Sequence, residues 1–162
     1  MLIVSNTSPI SNLAVVGRLE FLRRRWAVVR IPPAVAVELA ALTHPAGSLC
    51  IKTALSDRWL VVEPVEKTAS PRLPFLLDPG ETAAIALACQ LKADVLLMDE
   101  KRGREAARHC GLVVAGLLGE LIHAKLAGWI PNVRDEIQRL RLDAGFFVDA
   151  TVEKFILSQV GE

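Results

Sequence analysis

The stretch Ala93-Asp94-Val95-Leu96-Leu97-Met98-Asp99-Glu100 decides the fold. Its apolar centre, Asp94 to Met98, reads as a buried strand of a parallel sheet, and that strand ends on two acids. Upstream, Asp78-Pro79-Gly80-Glu81 has the spacing of a helix start, a cap followed by proline and by an acid at the third position, and opens a strongly apolar helix through Leu91. Downstream, Lys101 to Cys110 predicts a helix and Leu112 to Ala115 another strand.

The same alternation extends to both ends of the chain. Leu2-Ile3-Val4 is a short β-branched run leading into Asn6-Thr7-Ser8-Pro9, a group of turn and helix-start residues, after which Ile10, Leu13 and Ala14 follow at helical spacing. Ala27 to Ile31 predicts a second strand, and Pro32-Pro33 then opens a helix with Val35, Leu39 and Leu42 on one face. Gly47 to Arg58 reads as one helix, Trp59 to Val62 as a strand, and Pro64 to Pro74 as the one linker-like loop. From Leu117 onward the chain reads as three helices broken at Gly128 to Asn132 and at Gly145. This order implies a three-layer α/β domain, residues 1–162, with a central parallel sheet of about five strands, helices on both faces and right-handed crossovers. Sites in such sheets lie beyond the carboxyl ends of the strands, which singles out Asn6 after the first strand and Asp99 and Glu100 after the late one.

Composition bounds the rest. A chain of 162 residues can bury a core without staples. Hydrophobic residues make up 52% against 23% charged, an apolar excess that points to surface covered by a partner, with a homodimer as the default. Cys50, Cys89 and Cys110 are odd in number and form no C-x-x-C pair, so neither a disulfide framework nor a zinc site is indicated. No apolar run reaches the length of a membrane span and the first residues lack a signal-peptide pattern, so a cytoplasmic location is expected. The net charge of +1 argues against holding nucleic acid by bulk electrostatics, and any such contact must be local. Arg23-Arg24-Arg25 and the group Lys101, Arg102, Arg104 and Arg108 are the two clusters available for it, with a solvated helix face as the alternative for each.

Four motifs occur in an order that resembles the PIN-domain family: Val-Ser-Asn6-Thr-Ser-Pro, Ile-Pro-Pro-Ala-Val-Ala-Val-Glu38-Leu, Asp-Pro-Gly-Glu81-Thr-Ala-Ala-Ile-Ala-Leu-Ala and Leu-Leu-Met-Asp99-Glu100. The likeness spans nearly the whole chain, including the stretch Gly116 to Ile122, and is similar to the branch described as predicted nucleic-acid-binding proteins, close to VapC-type toxins. Each motif is weak alone and the ordered set is strong. The resemblance implies a Rossmann-like PIN fold and an endoribonuclease that uses Mg²⁺ or Mn²⁺, acts on RNA and is restrained by a small antitoxin protein. It places Glu38, Glu81 and Asp99 as metal ligands, Asn6 as a neutral ligand or orienter where aspartate is commonest, and Glu100 as an auxiliary acid. Lys101, Arg102 and Arg104 would meet the RNA backbone.

The chemistry agrees with that assignment. Two carboxylates about 4 Å apart repel by roughly 4 kcal/mol at an effective dielectric of about 20, so several in one pocket need protons or a divalent cation. Asn6 brings an oxygen but no charge, so metal affinity should be weak. Local alternatives exist for each acid: Asp78 and Glu81 as a capping box, Asp99 as a cap of the helix starting at Lys101, and Glu38 as a solvated helix residue. Ser5, Thr7 and Ser8 fit helix caps as well as orienters, and His44, His109 and His123 show no metal-ligand spacing. No Gly-x-Ser-x-Gly or phosphate-binding glycine loop is present. Two other readings compete: a binding module on a PIN scaffold weakened by Asn6, and a phosphatase or phospho-accepting domain, which lacks its aspartate nucleophile here.

Overall fold

The computed structural model describes residues 1–162, and its centre is a five-stranded, all-parallel sheet in the order β3-β2-β1-β4-β5. β1 is Ile3–Ser5, β2 Val29–Ile31, β3 Leu60–Val62, β4 Val95–Leu97 and β5 Val114–Ala115. β1 and β4 are buried at every position, as strands covered on both faces must be. The chain builds outward from β1 to β2 and β3, then returns to lay β4 on the other side of β1. The order therefore reverses between β1 and β4, and a crevice opens beyond their carboxyl ends.

Nine α-helices flank the sheet: α1 (Thr7–Val15), α2 (Glu20–Trp26), α3 (Pro33–Ala40), α4 (Pro45–Ser56), α5 (Pro79–Leu91), α6 (Lys101–His109), α7 (Leu117–Leu126), α8 (Val133–Ala144) and α9 (Ala150–Gln159). Proline at the first helical position of α3, α4 and α5 sets φ where no intrahelical N–H bond is lost. The expected α/β architecture and the three C-terminal helices are all present, and α2 is an addition that the periodicity did not separate from α1. The loop taken as linker-like is tied down: it holds a single 3-10 turn, Lys67–Ala69, and Gln90 of α5 accepts from Glu66 N–H at 2.8 Å and donates to the Pro64 carbonyl at 3.2 Å. No helix is long and apolar enough to cross a membrane.

A core cluster of 36 buried residues spans both sides of the sheet, and two buried acids lock helices around it. Glu136 of α8 takes a two-pronged pair from Arg18, at 2.8 and 3.1 Å, just after α1. Glu120 of α7 is 1% exposed and accepts from Arg25 Nη1 at 3.0 Å and Trp26 Nε1 at 3.2 Å. The first basic cluster is thus consumed within the fold: Arg25 pairs with Glu120, the Arg24 guanidinium sits 4.3 Å from the Trp129 ring, and Arg23 lies 3.8 Å from both Glu20 and Asp57.

Removing one member of a buried pair leaves the other charge stranded, at a cost of about 3 kcal/mol. Arg25→Ala should therefore lower the urea unfolding free energy by about that amount. The double variant Arg25→Ala/Glu120→Gln should recover much of the loss. A double variant as unstable as the single would mean that Arg25 acts through packing rather than charge.

Candidate functional site

The site begins with strand register. Ser5 pairs with Leu97, and the Asn6 N–H donates to the Leu97 carbonyl at 2.9 Å, so Asn6 lies level with Met98 and Asp99 follows one residue further along the neighbouring strand. On the far side of β4, Leu97 pairs with Ala115 and the Met98 N–H donates to the Ala115 carbonyl at 2.9 Å. Asp99 therefore emerges between β1 and the start of α7.

Asn6 is 4% exposed, and its Oδ1 is a buried oxygen with no hydrogen-bond partner. Such atoms are rare, because an unmade bond costs about 1–3 kcal/mol. It does not cap α1, although it occupies the N-cap position. Its oxygen is free for a ligand.

Asp99 does not cap the helix that starts at Lys101, which was one expectation for it. Glu100 holds that N-cap position without a side-chain bond, and Asp99 Oδ1 instead accepts from the Leu117 N–H at 2.7 Å, satisfying the first turn of α7. The cause is tertiary, since β5 delivers the α7 N-terminus beside the end of β4. Ser8 donates weakly to Asp99 Oδ2 at 3.4 Å and itself accepts from Asn12 Nδ2 at 3.2 Å.

Glu81 and Asp78 form the expected capping box, with Asp78 Oδ1 accepting from the Glu81 N–H at 2.8 Å and Glu81 Oε2 facing the Asp78 N–H at 3.4 Å. Capping leaves Oε1 of Glu81 aimed at α6, where a Cβ added to Gly103 would lie 2.9 Å from it. Glu38 is half-buried rather than solvated: it accepts from the Thr7 hydroxyl and lies so close to α5 that a Cβ on Gly80 would meet its carboxylate at 2.4 Å. Bare glycine backbone at 80 in α5 leaves room for Glu38 of α3, and at 103 in α6 for Glu81 of α5.

The basic residues of α6 divide. Lys101 is exposed at the helix start, the Arg102 guanidinium sits 4.8 Å from the Phe75 ring, and Arg104 turns inward to donate to the Met98 carbonyl at 2.8 Å. A cleft of about 400 Å³ opens over the acids, lined by Ser8, Asn12, Asp99, Glu100 and the segment from Ala144 to Phe147. The sequence reading missed Asn12, which its spacing of four from Ser8 on α1 could have exposed. It also missed Phe147, for which no local signal exists.

A family model described as a PIN domain matches residues 2–162, nearly the whole chain. The chain belongs to the PIN-domain family. No curated protein matches it. PIN domains are generally nucleases and typically use divalent metals, so nucleic acid is the substrate class that membership implies.

Whether this PIN domain suits a hard cation can be judged from its donors. All are oxygens, the atom type that Mg²⁺ and Mn²⁺ take. The orphaned Asn6 Oδ1 is the strongest mark of a missing ligand. No three His, Cys, Asp or Glu side chains already stand together as a metal-holding group. The fit is therefore one of donor chemistry alone.

Electrostatics point the same way. Burial pushes the Asp99 carboxyl above its ordinary value, the Leu117 N–H, Arg104 and Ser8 pull it back, and Glu100 raises it again. Glu81 is likewise raised, first by burial and then by the charges of Asp78 and Glu100. Glu120 is raised by burial against the pull of Arg25 and Trp26, with a smaller push from Asp99. A second positive charge close by would relieve all of these.

The sign for stability follows. A carboxyl with a raised folded-state pKa keeps its proton longer in the folded than in the unfolded chain, so stability falls as pH climbs from the ordinary carboxylate range through the raised value. In chelator, Asp99→Asn should thus melt higher than wild type at about pH 8, and the gain should shrink as pH approaches about 4. Thermal unfolding across that range checks it. Parallel pH profiles for the two proteins would show that ionising Asp99 costs the fold nothing.

Proposed function

We propose that this PIN domain is a metal-dependent endoribonuclease that hydrolyses RNA phosphodiesters. What supports this reading is the partnerless, buried Asn6 Oδ1 at the end of β1, together with Asp99, whose ionisation burial disfavours, at the end of the neighbouring strand β4, where the strand order switches. Asn6, Asp99 and Glu81 would hold the ion, with Glu38 joining from α3. A divalent cation bound there supplies Lewis acidity and charge neutralisation to a phosphodiester.

The protein's own residues do the remaining work. Asp99 and Glu81 provide the negative charge that Asn6 lacks. Ser8 and the Leu117 N–H hold the Asp99 carboxylate in place, so little reorganisation is needed when charge develops. Thr7 holds Glu38 towards the sheet end. Glu100, exposed and unbonded at the start of α6, would serve as the auxiliary acid. Lys101 and Arg102 stand on the outer turn of the same helix, where an RNA backbone would pass. In the VapC-like setting that the sequence resembles, this activity would be a toxin's, blocked by a small antitoxin, with the chain acting as a homodimer.

Purified protein should cut a mixed RNA pool in Mg²⁺ or Mn²⁺ and not in chelator, and Asp99→Ala should lose about 100-fold or more of that activity while melting cooperatively. Equal cleavage by Asp99→Ala and wild type would sink the nuclease reading.

A second reading draws on the bonds that occupy the acids: Glu81 caps α5 and Asp99 caps α7, as they would in a scaffold kept for binding RNA or protein. Asn6→Asp separates the two. On the nuclease reading it should lower the melting temperature in chelator, by adding a charge to a buried acidic site, and raise it in Mn²⁺ together with measurable Mn²⁺ binding by calorimetry. A variant destabilised equally with and without Mn²⁺ would favour the binding module.

A further inference from the structure

Cys89 lies in the last turn of α5 and Cys110 caps the end of α6, and both are free, partly exposed thiols. The sheet sets these two helices side by side. From β3 to β4 and from β4 to β5 the chain crosses in the same direction, so right-handed connections lay α5 and α6 on one face and run them parallel. Near their N-terminal ends they touch, since a Cβ on Gly103 would lie 2.9 Å from Glu81 Oε1. Cys89 follows Glu81 by eight residues and Cys110 follows Gly103 by seven, rises of about 12 and about 10 Å that bring the two thiols to nearly the same level.

Little bulk separates them. The buried residues of α6 are Gly103, Ala106 and Ala107, side chains short enough for the helices to stay close. Both helices also close in the same way. The Ala93 N–H returns to the Ala88 carbonyl at 2.9 Å and the Leu112 N–H to the Ala107 carbonyl at 3.1 Å, and the strands that follow pair through Leu96 and Val114. Strand pairing therefore fixes the helix ends relative to each other. Burial pushes the Cys89 thiol up, and the adjacent Cys110 sulfur pushes it further through its charge and a hydrogen bond. A thiol that keeps its proton attacks slowly and leaves slowly, which suits a bond that persists once formed rather than a fast sensor.

We propose that Cys89 and Cys110 form a reversible disulfide that fastens α5 to α6, with a small-molecule disulfide as the oxidant. This modification site is independent of the nuclease reading. One cysteine, giving up its proton, attacks the small disulfide and displaces half of it as a thiol. The other cysteine then gives up its proton and attacks the mixed disulfide, displacing the second half. The protein loses two hydrogens and the small disulfide gains them. The bond closes about twenty residues of chain into a ring that contains β4, Asp99, Glu100 and α6, so oxidation restrains the segment that carries two of the acids.

The test starts from Cys50→Ser, because the exposed Cys50 would otherwise join separate chains. This protein and Cys50→Ser/Cys110→Ser are incubated with oxidised glutathione, alkylated, and mapped by mass spectrometry without reductant, with thermal melts before and after dithiothreitol. Oxidised Cys50→Ser should yield a peptide pair joined between Cys89 and Cys110 within a monomer. It should melt roughly 5–10 °C higher than after reduction, and Cys50→Ser/Cys110→Ser should show neither the joined pair nor the shift. Cys89 and Cys110 that both remain alkylated, or that each carry a glutathione, would overturn the proposal. A joined pair whose melting temperature is equal to or below that of the reduced protein would overturn it as well, because the bond would then not fasten the helices as they stand.

Discussion

The pairing of β1 with β4 is the constraint on which the rest depends. It joins residues more than ninety positions apart in sequence, through the registers Ile3 with Val95 and Ser5 with Leu97, and it closes only if the chain crosses back over the sheet after β3. Because side chains alternate across a strand, a slip of one residue would push a buried face outward and shift Asp99 along relative to Asn6. The apolar runs at β1 and β4 make such a slip costly, and that cost fixes the polar residues that follow each strand.

Beyond the strand ends, the fold accepts electrostatic strain. Asp99 and Glu81 are each harder to ionise than in water, and both feel Glu100. Helix ends relieve part of it: the α7 N-terminus gives Asp99 a backbone N–H, and the α5 N-terminus gives Glu81 a place in a capping box. The same bonds that stabilise the helices thus fix where these acids sit. Glu120, by contrast, has an arginine and an indole to itself, and its charge serves to fasten α2 to α7.

Asn6 sits at the meeting point of these effects. An aspartate there would add another buried charge to a site already short of counter-charge. The amide avoids that cost and leaves one buried oxygen without a partner. The fold is therefore easier to hold without a cation than an all-acid version would be.

By itself the sequence determined the alternation of strands and helices, the parallel sheet, the capping box at Asp78 and Glu81, and the sheet end as the place to look, because each follows from local periodicity, turn chemistry or a strand that stops on acids. It also carried the ordered motifs of the PIN family. Tertiary structure alone decided which long-range bonds the charged residues make. Asp99 caps α7 rather than α6 because β5 brings a distant N-terminus to it, and Arg25 is consumed by Glu120 because α2 packs on α7. Asn6 Oδ1 is left without a partner because the neighbouring strand takes its backbone N–H while no donor comes within reach of the buried side-chain oxygen. Phe147 borders the acid cleft because Gly145 ends α8 in a left-handed turn and the buried residues around it leave the ring only one side to occupy. These are contacts between elements remote in the chain, and local sequence carries no record of them.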